Sequence, residues 1–219
     1  MKTVFSLLNP ALSVVTVALC FLPLLLMLWK KLGSVKAYLF IAIYWVANAV
    51  VNLPDCLGIQ ANDIQNKLIL LYNLFDTPLA LLIFYFSATG IKKKIIFYLL
   101  CFIIIFEPVL VVWMGHNFNS STIIIAVGGL LALFFSFSGL AEYFQKIEHS
   151  PLEKTMGFVY AGFIFDYGIS VVTFFFNYLT YHKDSLAANI FLYYLSLILA
   201  ITLTSVGLWK HARPEWRRA

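Results

Sequence analysis

Apolar runs long enough to cross a bilayer alternate with short polar stretches along the whole chain. A hydrocarbon core of about 30 Å needs roughly 20 helical residues. We therefore predict seven transmembrane helices, at about residues 11–29, 37–53, 68–88, 95–114, 121–144, 156–179 and 187–209. The connecting segments are too short to fold separately, so residues 1–219 are expected to form a single transmembrane domain.

Local signals refine the ends of these predicted helices. The second run is short, and the NLPDC segment that follows it would either extend the helix or cap it. Between the fifth and sixth runs, EHSPLEK predicts a solvated turn and a new helix start, with Ser150 as N-cap and Pro151 at the first helical position. The WKKLG segment after the first run is typical of a helix that ends at a membrane interface.

The composition excludes a soluble domain. The chain has 219 residues, of which 62% are hydrophobic and 11% are charged, whereas a soluble domain has roughly 25% charged residues. Helices satisfy their own backbone hydrogen bonds in lipid, so we expect an all-α, polytopic integral membrane bundle. Cys20, Cys56 and Cys101 show no metal-binding spacing, and the two that lie in apolar runs, Cys20 and Cys101, are interpreted as packing residues.

The basic residues indicate an orientation. The net charge of +5 does not indicate a nucleic-acid partner, because the basic residues form short clusters between apolar runs. Most follow the first, third and fifth spans or lie in the C-terminal tail: Lys30, Lys31, Lys36, Lys92, Lys93, Lys94, Lys146, Lys154, Lys210, Arg213, Arg217 and Arg218. Lys2, Lys67 and Lys183 lie on the other side. The positive-inside rule then predicts an external N-terminus and a cytoplasmic C-terminus, and the short loops suggest a bacterial cytoplasmic membrane.

Polar residues within the spans recur at helical spacings of three and four, so they share faces. We expect these faces, on spans two, three, four, six and seven, to line a polar cavity that opens outward at mid-depth. The candidate site residues, for binding a ligand or a proton, are Trp45, Asn48, Asn52, Tyr72, Asn73, Asp76, Thr77, Glu107, Asp166, Ser170, Asn177 and Tyr193.

Three of these candidates, Asp76, Glu107 and Asp166, are carboxylic acids inside apolar spans. An ionised acid at the membrane centre costs roughly 2.5–3.5 kcal/mol on insertion scales, and no span offers a central Lys, Arg or His. The acids must therefore be protonated, hydrated or bound to a cation. Two interpretations stay open: a proton relay or ligand site, or interhelical hydrogen bonds worth about 0.6 kcal/mol each.

Several catalytic patterns are missing from the sequence. No histidine lies within a span, and no acidic diphosphate-binding pair, phosphate loop or nucleophile elbow is present. We therefore predict no catalytic residues, no metal site and no cofactor. An enzymatic role is left open but is not favoured.

The LFDTPLALL segment of the third span is similar to the third helix of microbial rhodopsins, where a Thr-Thr-Pro-Leu run follows the counterion. Seven spans with an external N-terminus also resemble that family. Aligned on Thr77, the counterion position falls on Asn73 or Tyr72, and Asp76 replaces a threonine. The last span contains no lysine, so a retinal Schiff base could not form. The resemblance implies at most a rhodopsin-like protein without retinal.

The favoured function is therefore a small-molecule or ion transporter, with proton coupling left open, or a ligand-binding receptor. The alternatives are an intramembrane enzyme acting on a lipid or isoprenoid, the retinal-free rhodopsin-like protein, and an assembly subunit without a site of its own. Expected partners are membrane lipid and a small-molecule or cationic ligand, with homo-oligomerisation left open and nucleic acid excluded.

Overall fold

The computed structural model describes residues 2–57, 63–115, 118–180 and 186–212, with side chains described within 8–57, 67–115, 120–173 and 189–212. Over these ranges the chain is helical and contains no strand. The helices are α1 (Lys2–Cys20), α2 (Leu22–Trp29), α3 (Lys36–Cys56), α4 (Asp63–Ser87), α5 (Gly90–Met114), α6 (Phe118–Gln145), α7 (Pro151–Thr180) and α8 (Leu186–Lys210).

Seven helical stretches in these ranges are long and apolar enough to cross a membrane, which confirms the predicted number. They are Leu8–Trp29, Lys36–Cys56, Lys67–Ser87, Gly90–Met114, Ser120–Gln145, Pro151–Thr173 and Asn189–Lys210. The first stretch consists of two helices, α1 and α2, which are separated by a turn at Phe21 just before Pro23. The second is longer than predicted, because NLPDC continues α3 to Cys56 with Pro54 inside the helix.

The start of α7 confirms the prediction for EHSPLEK. The helix begins at Pro151, and the Ser150 hydroxyl accepts a hydrogen bond from the Glu153 backbone N–H at 3.2 Å. The Glu153 carboxylate in turn accepts one from the Ser150 N–H at 2.8 Å. This reciprocal pair is a capping box, so the polar turn fixes where α7 begins.

The helix contacts define a ring with one helix outside it. Going round the ring, α1 packs on α3, α3 on α4, α4 on α6, α6 on α7, α7 on α8, and α8 back on α1. Helix α5 packs chiefly on α4 and α6, and it therefore lies on the periphery. Its outer surface is apolar, since Val112 is 86% exposed and Trp113 is 82% exposed. An apolar surface of this kind suits lipid better than water.

One end of the bundle carries most of the described lysines, and we call it the lysine-rich end. It comprises segments 30–36, 87–94, 142–154 and 210–212. Here Lys30 joins the first and last spans: its ammonium donates hydrogen bonds to the backbone oxygens of Leu208 at 3.1 Å, of Ala212 at 3.4 Å, and of Trp209. Trp29 also stacks on Trp209, with ring centroids 5.0 Å apart. Lys30 thus closes the ring as well as contributing positive charge.

Candidate functional site

A cavity of about 400 Å³ opens between the helices towards the end opposite the lysine-rich end. We call it the tyrosine cavity, after the four tyrosines in its wall. Its lining residues are Tyr44, Asn48, Val51, Asn52, Asp55, Ile69, Tyr72, Asn73, Asp76, Ile125, Asp166, Tyr167, Ser170, Thr173, Asn189, Ile190 and Tyr193. Five helices supply these side chains, because the polar faces of α3, α4, α7 and α8 converge inside the ring and α6 adds Ile125.

Most of the sequence-derived candidates lie together in this wall: Asn48, Asn52, Tyr72, Asn73, Asp76, Asp166, Ser170 and Tyr193. Their helical spacing explains the arrangement. Asn48 and Asn52 are one turn apart on α3, as are Asp166 and Ser170 on α7, so each pair presents one face to the ring interior.

Trp45 and Thr77 do not line the cavity. Trp45 is fully buried and lies one turn nearer the lysine-rich end than Asn48, where its ring packs against Tyr44 and Phe163. Thr77 is also buried, but it follows Asp76 and is rotated by about 100° around α4. That rotation directs it towards α6, where any Cβ placed on Gly128 would overlap it.

Glu107 also lies away from the cavity, contrary to the expectation that the fourth span would contribute to it. Helix α5 is outside the ring, so Glu107 approaches α4 from behind and faces Thr77. The side chain is 1% exposed, and neither carboxylate oxygen has a hydrogen-bond partner among the residues described. Asn177 belongs to the helical part of α7, but its side chain lies outside the described residues.

Asp76 is held by two tyrosines. Its Oδ1 atom accepts a hydrogen bond from the Tyr72 hydroxyl at 2.7 Å, one turn away on α4. Its Oδ2 atom accepts one from the Tyr167 hydroxyl on α7 at 2.9 Å. Phenolic hydroxyls therefore occupy the positions that a lysine or arginine would take in an ion pair.

Asp166 has a similar environment on the facing helix and is 5% exposed. The Tyr44 hydroxyl on α3 lies 3.1 Å from Asp166 Oδ2, within donating distance, and 3.1 Å from the Tyr167 hydroxyl. Since Tyr167 also contacts Asp76, the two carboxyl groups are joined through two tyrosines.

The amide groups of the cavity are engaged partly with the backbone. Asn52 donates from Nδ2 to the Asn48 carbonyl at 2.9 Å and contacts the Tyr193 hydroxyl of α8 at 3.2 Å. Asn48 donates to the Tyr44 carbonyl at 3.4 Å. Nearer the cavity mouth, the Tyr194 hydroxyl donates to Asp55 Oδ2 at 3.3 Å. These bonds tie α3 to α8 and hold the wall in place.

Sequence reasoning missed several cavity residues, chiefly Tyr44, Tyr167 and Asp55. A signal for Tyr44 was present, because it precedes Asn48 by one helical turn and Asn52 by about two. No such signal marked Tyr167, since it is adjacent to Asp166 and falls outside the polar face of α7. Only the crossing of α7 with α3 and α4 brings its hydroxyl to Tyr44 and Asp76.

The charge of the tyrosine cavity is entirely acidic among the residues described as lining it, with no lysine, arginine or histidine. Carboxylates beside tyrosine rings favour a cation, through charge and through cation–π attraction. Across the described part of the chain, no group of three or more His, Cys, Asp or Glu residues is placed to hold a metal ion. The arrangement suits binding of a small cation or a proton.

A second cavity, of about 570 Å³, lies at the lysine-rich end between α4, α5, α6 and α7, and we call it the lysine-end cleft. Its wall includes Ser87, Lys92, Glu142, His149 and Tyr160. Glu142 is paired here with Lys92 Nζ at 2.9 Å. Acidic and basic side chains therefore compensate each other in this cleft.

Three buried rings, Trp45, Phe84 and Phe163, lie between the two cavities, and we call them the aromatic layer. Phe163 is 5.7 Å from Phe84 and 6.4 Å from Trp45, centroid to centroid. On one side Phe163 contacts Tyr44 at 4.9 Å, in the wall of the tyrosine cavity; on the other, Phe84 contacts Tyr160 at 5.8 Å, in the lysine-end cleft. Packed rings therefore separate two openings at opposite ends of the bundle.

Neither a protein-family model, nor a curated protein, nor a solved structure matches this chain. The similarity to microbial rhodopsins therefore remains limited to the segment around Asp76. No relative indicates a ligand, so the functional inference depends on the chemistry of the tyrosine cavity.

Proposed function

We propose that this protein is an integral membrane transporter of a small cation, and that the tyrosine cavity is its cargo site. One observation carries the proposal: Asp76 and Asp166 line a cavity of about 400 Å³ in which no described lining residue is basic. A volume of this size is within the usual range for small-molecule sites, about 300–1,000 Å³. Asp76 and Asp166 would supply the charge, while Tyr72 and Tyr193 would form walls.

The proposed orientation places the lysine-rich end in the cytoplasm. Positive charge is retained on that side during insertion, and the stacked Trp29 and Trp209 suit the interface at which tryptophan is enriched. The tyrosine cavity then opens outward. The short loops favour a bacterial cytoplasmic membrane as its location.

The lysine-end cleft supports a transporter more than a receptor. A receptor needs one ligand site, whereas alternating access needs a route to each side of the membrane. The aromatic layer closes the route between the two cavities, and the Ser87 and Tyr160 hydroxyls, 3.3 Å apart, link α4 to α7 on the cytoplasmic side of that layer. In this proposal the structure corresponds to an outward-facing state.

The test is uptake of radiolabelled tetraethylammonium and, separately, of sodium ion into proteoliposomes. We expect the wild-type protein to take up at least one of these cations faster than protein-free liposomes do. Asp76→Asn and Asp166→Asn should abolish the difference, because each removes an acid from the site. Glu148→Gln is the control, since it removes an exposed acid at the lysine-rich end that lines neither cavity.

The other outcomes distinguish the alternatives. Saturable binding of either cation without uptake would favour a receptor. Conversion of a co-purified lipid, detected by mass spectrometry and lost in the Asp variants, would favour an intramembrane enzyme. Equal uptake by wild type and both Asp variants would contradict the proposal.

A further inference from the structure

Two of the three acids that line the tyrosine cavity, Asp76 and Asp166, are connected by an unbroken line of oxygen atoms. The line runs from Asp166 Oδ2 to the Tyr44 hydroxyl, 3.1 Å, then to the Tyr167 hydroxyl, 3.1 Å, and then to Asp76 Oδ2, 2.9 Å. Each step is within hydrogen-bond distance. Three helices supply the four groups: Tyr44 is on α3, Asp76 is on α4, and the adjacent Asp166 and Tyr167 are on α7.

A count of hydrogens shows what this line requires. Three hydrogen bonds need three hydrogens, and each tyrosine hydroxyl provides one. Two ionised carboxylates would leave one of the three contacts without a hydrogen. If both acids carried their protons on the oxygens of the line, one tyrosine hydroxyl would be left without an acceptor in the line. One proton on one of the two acids satisfies all three contacts.

The surroundings oppose a fully ionised pair. The nearby titratable groups on the elements packed around the line are Asp55 on α3, Tyr72 on α4, Tyr193 on α8, Cys20 on α1 and, behind α4, Glu107 on α5. None of them is cationic. Two neighbouring carboxylates in such a site repel each other, and this favours retention of at least one proton.

We propose that Asp76 and Asp166 together bind a single proton, and that Tyr44 and Tyr167 form the relay through which it moves between them. Within the proposed function this would make the cavity a proton-coupled cation site. Binding of the proton by Asp76 and Asp166 does not require a bound cation.

The transfer is balanced. When Asp166 carries the proton, its O–H donates to Tyr44, Tyr44 donates to Tyr167, and Tyr167 donates to Asp76. Movement along the line breaks these three O–H bonds and forms three others: on Tyr44, Tyr167 and Asp76. Both tyrosines are neutral before and after, and the net change is one proton carried from Asp166 to Asp76.

Infrared spectroscopy of the purified protein near neutral pH tests the count, because a protonated carboxyl group has a distinct C=O band. The double variant Asp76→Asn/Asp166→Asn supplies the background, including any contribution from Glu107. We expect the wild type to show one protonated carboxyl group per molecule above that background, with the band area calibrated against a carboxylic acid of known concentration. Asp76→Asn and Asp166→Asn should each show no more than this area, since one acid alone carries at most one proton.

The other results overturn the proposal. Two protonated carboxyl groups per molecule of wild type would mean that both acids are protonated independently, and no band in the wild type would mean that both are ionised. The area of the C=O band is measured without a ligand and without transport. A failed uptake experiment would therefore leave the number of protonated carboxyl groups unaffected. A correct count with no transport would retain the proton site and reject its coupling role.

Tyrosine variants test the relay in the same spectra. Tyr167→Phe keeps the ring but removes the middle link, so the remaining protonated carboxyl should form weaker hydrogen bonds and its C=O band should move to higher frequency. Tyr194→Phe is the control, because it removes a buried hydroxyl that contacts Asp55 and lies outside the line. An unchanged band in Tyr167→Phe, or an equal shift in Tyr194→Phe, would exclude the relay.

Discussion

The acids at the lysine-rich end and the acids of the tyrosine cavity have different partners. At the lysine-rich end, Glu142 pairs with Lys92 and Glu153 pairs with Lys146. In the tyrosine cavity, Asp76 and Asp166 instead contact tyrosine hydroxyls. The difference follows from depth, since a long lysine side chain at a helix end can extend to the interface, whereas at mid-depth a second buried charge would add its own desolvation cost.

Acids in solvated ion pairs therefore differ from acids that line a cavity. Exposed ion pairs contribute about 0–1 kcal/mol, and Glu142 is 56% exposed. A mid-membrane acid costs roughly 2.5–3.5 kcal/mol, and a tyrosine hydrogen bond offsets only part of that. Glu107 is a third case, buried with no described partner for either oxygen. The pair in the tyrosine cavity is therefore the better candidate for a working site.

The largest effect is expected from opening the aromatic layer that separates the two regions. Phe163→Ala removes a fully buried ring that contacts Tyr44, Trp45, Phe84 and Tyr167. Such truncations typically lower the free energy of unfolding by about 3–5 kcal/mol. Denaturant unfolding in detergent micelles measures the change.

The control for this variant is Phe165→Ala on the same helix. Phe165 is 45% exposed on the outer surface of the bundle, so its truncation should cost clearly less than the Phe163 truncation. Equal losses for the two variants would show that the aromatic layer is not a packed barrier.

A smaller effect is expected from placing a lysine, the partner of the acids at the lysine-rich end, in the tyrosine cavity. Ser170→Lys places an ammonium one helical turn from Asp166 in the same wall. It should compete with a bound cation and raise the Kd for tetraethylammonium or sodium by about 100-fold, equivalent to about 2.7 kcal/mol. Calorimetric titration of the cation that the wild type binds measures the effect.

Ser170→Met is the matched control, because it adds similar bulk without charge. A comparable loss of affinity in both variants would indicate that volume, and not charge, governs the cavity.

The smallest effect is expected at the lysine-rich end. Lys92→Met removes the partner of Glu142 while keeping an apolar stem, and the free energy of unfolding should fall by no more than about 1 kcal/mol, because the pair is partly solvated. Raising the salt concentration should reduce even that difference. A loss above about 2 kcal/mol would mean that ion pairs at this end are not the weak, solvated kind.

Much of the helical framework could be predicted from the sequence. Apolar run length located each helical stretch, and the boundaries differ by a few residues: α4 and α5 begin at Asp63 and Gly90, five residues before the predicted starts, and α3 continues three residues further, to Cys56. Spacing of three and four residues also identified which faces of α3 and α7 carry polar residues. These are local properties of a helix, so one chain segment contains all the information they need.

The candidate site required the tertiary structure. Periodicity specifies a face but not the neighbouring helix, and it therefore could not show that α5 lies outside the ring with Glu107 behind α4. Nor could it bring Tyr44, Tyr167, Asp76 and Asp166 together, because their contacts depend on how α3, α4 and α7 cross. The sequence by itself determined seven helices long and apolar enough to cross a membrane, with carboxylic acids inside them. Only the packing of the helices decided which acids share a cavity, since that depends on contacts between residues distant along the chain.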